Sequence, residues 1–130
     1  MAKRQSVNGS RARHENPIPN ASRIGNIVMS SVIGGVSPGT RDLPAELERQ
    51  VANVFGNIRH DVEAAGGTVD DILKITFWVK DPAKQRTSLN TEWVKGTSKN
   101  GSVSDALAMA PDVSRFRRSL VGALSIFLAS

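Results

Sequence analysis

The sequence predicts an α+β domain, a mixed β-sheet with two helices packed on one face, from three observations. Leu47, Val51, Val54, Ile58 and Val62 recur at spacings of three and four, the period of an amphipathic helix. Leu73, Ile75, Phe77 and Val79 alternate strictly with Lys74, Thr76, Trp78 and Lys80, the period of a strand with one covered face. Short β-branched runs closed by glycine and proline pairs surround these segments, so strands and helices follow one another in layers. At 130 residues the chain has the length of one domain, able to bury a single core without disulfides or metals.

The elements are expected in the following order. Residues 1–15 are polar, basic and aperiodic, and read as a disordered basic arm ahead of one domain over residues 16–130. In NPIPNASRIGN two prolines enforce extended backbone and Gly25-Asn26 marks a tight turn. Ile27 to Ile33 then reads as one buried strand, closed by Gly34-Gly35 and Ser37-Pro38-Gly39. The long helix runs from Pro44 to Ala65, with Glu46, Arg49, Asn57 and Asp61 opposite its apolar stripe, and Gly66-Gly67 supplies the C-cap. Asp70-Asp71 has turn or cap duty before the alternating strand. Asp81-Pro82 opens a second helix through about Lys95, with Leu89 and Trp93 on one face. Ala106 to Ala110 and Ser119 to Ala129 read as further strands. A sheet covered on one side leaves its other face for a symmetric partner.

Composition excludes several chemistries. The absence of cysteine removes a disulfide framework, a thiolate zinc site and a cysteine nucleophile, and fits a reducing compartment. No apolar run reaches the roughly 18 to 20 residues that cross a bilayer, and the basic start lacks the apolar stretch of a signal peptide, so a cytoplasmic protein is expected. The net charge of +5 suits an anionic metabolite or nucleic acid. Much of that charge sits at the ends, and with no tyrosine, two tryptophans and four phenylalanines the chain is poor in stacking platforms. Nucleic acid is thus the less favoured partner. His14 and His60 have no ligand spacing, so no metal site is expected, and neither glycine pair stands in a phosphate-binding context. Asn90, three residues before Trp93, could orient a water or a substrate carbonyl, or be a solvated helix residue.

Three segments in order, GNIVMSS, EAAGGTVDDILKITFWVKD and LNTEW, resemble the RidA/YjgF family over about three-fifths of the chain. The NPIPNASRIGN opening and Trp93 resemble a branch associated with degradation of aromatic compounds. The resemblance implies a chorismate-mutase-like single domain, a homotrimer with clefts between subunits, and small carboxylate-bearing ligands. It also implies hydrolysis of enamines or imines to carbonyl compounds and ammonia, with no cofactor. Carried over by position, Asn90 is the catalytic asparagine, Ser30 and Ser31 stand at a Ser-Gly pair by the cleft, Trp93 replaces a tyrosine as cleft wall, and Ile18 stands at another tyrosine position.

The chain departs from the family pattern after Trp93. Ser104 or Asp105 stands where a carboxylate-binding arginine belongs, and the late glutamate is missing from SLVGALSIFLAS. Arg115 or Arg23 is the expected substitute cation. The first functional expectation is hydrolytic deamination of a 2-aminomuconate or 2-aminomuconate-semialdehyde type of substrate from aminobenzoate degradation. The alternatives are housekeeping deamination of 2-aminoacrylate, a non-catalytic ligand-binding or chaperone-like role, and endoribonuclease activity. An altered reading frame after Trp93 is a further explanation of the departures.

Overall fold

The computed structural model describes residues 3–8, 17–40, 42–79, 87, 91, 104–108 and 121–128. Among the described residues seven strands form one sheet: β1 (Gln5–Val7), β2 (Ala21–Ile24), β3 (Ile27–Ser30), β4 (Ile33–Gly34), β5 (Ile72–Val79), β6 (Ser104–Ala108) and β7 (Val121–Leu128). Their order is β1-β2-β3-β7-β5-β6, with β4 also paired to β7. Every pairing is antiparallel except β5 with β6, so the sheet is mixed, as the sequence predicts. One helix, α1 (Leu47–Ala64), lies on one face. The expected second helix falls outside the described residues except for Thr87 and Thr91, both helical, where the Thr91 hydroxyl donates to the Thr87 carbonyl at 3.0 Å.

The core lies between α1 and the sheet. Val51, Val54, Ile58 and Val62 of the predicted stripe are buried against Val28, Ile33, Ile75 and Phe77. Phe55 and Phe77 meet with ring centroids 5.5 Å apart in a tilted arrangement. At the end of α1, Gly66 has φ +86, Gly66 N–H donates to the Glu63 carbonyl and Gly67 N–H to the Val62 carbonyl, both at 3.0 Å. These are the two bonds of a Schellman cap, which needs a left-handed residue that glycine supplies without strain. Asp71 also has cap duty: its carboxylate accepts the Thr68 N–H at 2.8 Å, beneath the short 3-10 turn Val69–Asp71.

The structure corrects five sequence expectations. Within the supposed disordered arm, Gln5–Val7 is a strand, because Val7 is buried opposite Ala21 and its backbone completes the β2 edge. The helix starts at Leu47 rather than Pro44: the Pro44 carbonyl lies before the helix and accepts from the Gln50 carboxamide within its first turn, at 2.6 Å. Asn57 and Asp61 are buried, 2% and 0% exposed, rather than solvated. The Asn57 carboxamide donates to the Gly34 and Val36 carbonyls at 3.1 and 2.8 Å, protein partners that take the place of water.

The run Ile27 to Ile33 is not one buried strand. It breaks at Ser31-Val32, and Ile27 and Met29 point away from α1 and are exposed. The strict alternation expected from Leu73 onward also shifts by one residue at its start. A β-bulge between Ile72 and Lys74, opposite Ile126 and Phe127 of β7, buries Ile72 and leaves both Leu73 and Lys74 exposed.

Gly35 shows how closely α1 approaches the sheet exit. A Cβ there would lie 2.8 Å from both the Cβ and the carbonyl oxygen of Gln50. Gly35→Ala is therefore expected to destabilise the protein by about 1 to 3 kcal/mol through overpacking, seen as a lower urea midpoint with an unchanged slope.

Candidate functional site

Two segments carrying sequence-predicted site residues meet at the end of β3. The Ser31 hydroxyl donates to the Pro19 carbonyl at 2.7 Å, and the Ser31 N–H to the Asn20 carbonyl at 2.9 Å. From the other side, the Asn20 N–H donates to the Asn8 side-chain oxygen at 3.2 Å. The loop Pro17-Ile18-Pro19 is thus pinned on both sides, and its prolines hold φ near −65° while restricting Ile18 to extended backbone. Ile18, within this loop, is 58% exposed.

The two serines differ. Ser30 is buried on the same face of β3 as Val28, toward α1, whereas Ser31 is half-buried and uses its hydroxyl proton on the loop. Asn90, Trp93 and Arg115 lie outside the described residues. Arg23, an expected substitute cation, is engaged elsewhere: Nε donates to the Gly25 carbonyl at 2.7 Å and a terminal nitrogen to the Ala65 carbonyl at 2.9 Å. It joins the β2–β3 hairpin to the C-terminal end of α1, where a cation complements the helix dipole.

Sequence reasoning missed the asparagines. Asn20 is buried, and its carboxamide oxygen has no donor among the described residues. Asn53 donates to the Gly35 carbonyl at 3.0 Å and to the Ser37 hydroxyl at 3.3 Å, which with Asn57 fixes the segment leaving β4. The available signal was the spacing: Gln50, Asn53 and Asn57 recur at three and four, like the apolar stripe itself. Among the described residues no group of three or more His, Asp or Glu side chains could hold a metal ion, and no helix is long and apolar enough to cross a membrane.

Comparison with known proteins gives this arrangement its context. The family model described as Endoribonuclease L-PSP matches residues 10–113. The chain belongs to this family, the RidA/YjgF family of the sequence resemblance. A RutC family protein of Haemophilus influenzae is 37% identical over 65 residues, half of each chain. The 2-iminobutanoate/2-iminopropanoate deaminase of Escherichia coli is 40% identical over 58 residues, 45% of each chain. The chain thus spans about half the length of these curated relatives in the matched region. Among solved structures, RidA from an Antarctic Psychrobacter superposes with a TM-score of 0.83 at 26% identity, over 95% of this chain and 98% of that one. Yeast Mmf1 superposes with a TM-score of 0.85 at 14% identity, over 98% of this chain and all of that one, which shows the shared fold alone. The L-PSP fold therefore extends over nearly the whole chain.

The Ser31 staple has a measurable strength in this L-PSP chain. Ser31→Ala leaves the Pro19 carbonyl without its donor and is expected to cost about 0.5 to 1.5 kcal/mol in thermal or urea unfolding, with Ser31→Thr recovering part of it.

Proposed function

We propose that this L-PSP family protein is a hydrolytic deaminase of 2-imino acids or their enamine tautomers, releasing ammonia. The carrying observation is the 40% identity to a 2-iminobutanoate/2-iminopropanoate deaminase within a chain of matching fold. In the reaction an enamine tautomerises to the imine, water adds to the C=N carbon, the C–N bond breaks and ammonia leaves as the carbonyl forms. Such hydrolysis requires a positioned water and a held carboxylate, and calls on no metal or organic cofactor. Asn90 is assigned to the water, Trp93 and Ile18 to the walls of the cleft, and Ser31 to its rim.

A substrate of the 2-aminomuconate or 2-aminomuconate-semialdehyde type is the second reading. Ile18 favours it, because an exposed aliphatic side chain suits a longer carbon chain than that of 2-iminopropanoate. The reading also includes a homotrimer with clefts between subunits in the cytoplasm. Its support is the bare apolar face opposite α1, with Ile24, Ile27, Met29 and Leu73 all about half-exposed.

Two measurements test this. Ammonium release is expected above the spontaneous rate from 2-iminobutanoate generated in place, and a parallel assay on 2-aminomuconate semialdehyde separates the two substrate readings. Asn90→Ala should lower the rate by about two orders of magnitude. No release from either substrate would sink the deaminase reading. Light scattering should return three times the 13.9 kDa chain mass, and a monomer would refute the shared cleft.

A further inference from the structure

We propose that Lys74 is the cation that holds the substrate carboxylate, in place of an arginine. This rests on the deaminase reading, because a 2-imino acid carries a carboxylate that must be held while water attacks the neighbouring carbon.

The register supplies the first argument. Met29, Ile126, Lys74 and Ser104 are successive partners across β3, β7, β5 and β6. Lys74 therefore stands directly beside Ser104, one of the two positions where the family resemblance calls for the missing arginine. At about 4.8 Å per strand, its Cα lies about 10 Å from that of Met29. Ser31 and Val32 fall between the row of Met29 and Ile126 and the row of Ile33 and Ala123. Ser31, which holds the loop that carries Ile18, thus lies two strands across and two residues along from Lys74, roughly 12 Å between Cα atoms, a gap that a lysine stem and a small imino acid together span.

The bulge supplies the second. Strict alternation would place Leu73 and Lys74 on opposite faces. The irregularity between Ile72 and Lys74 instead leaves both exposed, with Ile75 buried next. Lys74 keeps the face opposite the buried Ile75, and the bulge exposes Leu73 next to it, so the ammonium stands on a face otherwise lined by Ile24, Ile27, Met29 and Leu73. Apolar surroundings strengthen its pull on a carboxylate once that face is covered.

The other described cations are placed for other work. Arg23 is spent on two carbonyls. Arg49, 4.0 Å from Glu46, and Arg59 belong to α1 on the far side of the sheet. Lys3 and Arg4 precede β1 at the sheet edge.

The test uses the full chain with 2-oxobutanoate, the product of 2-iminobutanoate hydrolysis, as binding probe, beside steady-state kinetics on the imine. Lys74→Met is expected to weaken 2-oxobutanoate binding and raise KM by about tenfold or more, with kcat much less affected. Lys74→Arg should recover most of both, since it restores the charge. Because Lys74 is exposed, the thermal midpoint of each variant should match the parent, separating a binding loss from misfolding. Unchanged binding and KM in Lys74→Met, with an active parent, would overturn the assignment and leave the deaminase reading standing. So would Lys74→Arg behaving as poorly as Lys74→Met, since charge would then not be what the ligand reads. A parent that neither binds 2-oxobutanoate nor releases ammonium would remove both together.

Discussion

The carboxamides of Asn53 and Asn57 hold the carbonyls of Gly34, Gly35 and Val36, and the rest of the domain is arranged around that clamp. Backbone leaving a two-residue strand has few partners of its own, and its carbonyls would be costly to bury unpaired. The helix supplies donors at the spacing that its own period dictates, while Gly35 lets the two backbones approach until Gln50 touches it. The same approach seats Val51, Val54, Ile58 and Val62 on the sheet. Polar and apolar contacts thus share one helix surface, and neither could be optimised alone.

Once α1 covers one face, the other is left to different tasks. Exposed aliphatic side chains gather there, a bulge in β5 exposes Leu73 as well, and Lys74 follows it. The broken junction between β3 and β4 meets the proline-bracketed loop through Ser31. A bulge and a strand break are the irregularities that interrupt the sheet's ladders among the described residues. Functional positions concentrate at such places because regular ladders leave side chains little freedom in where they point.

The helix stripe, the Gly66-Gly67 cap, the Asp71 cap and the alternating strand are legible in the sequence, since each follows from local period or turn chemistry. What misled was polarity taken as exposure. Asn57 and Asp61 look like a solvated face in sequence, yet both are buried; that the Asn57 carboxamide reaches carbonyls of another segment is invisible to a one-dimensional pattern. Val7 failed in the opposite direction: a single apolar residue in a basic segment carries no periodic signal, yet suffices to dock an edge strand. Of the candidate site, the sequence named Ile18 and Ser31 through resemblance, but not that the hydroxyl of one fixes the loop of the other.

Family, fold class and the pairing of helix with alternating strand were determined by the sequence alone, because residue spacing and motif order encode them directly. Tertiary structure alone decided that Arg23 serves carbonyls rather than a ligand, that Leu73 and Lys74 share exposure, and that Lys74 stands beside Ser104. Each of those depends on strand register and on contacts between residues distant in sequence. A shift of one residue in register exchanges the faces of a strand, and nothing in local composition announces it.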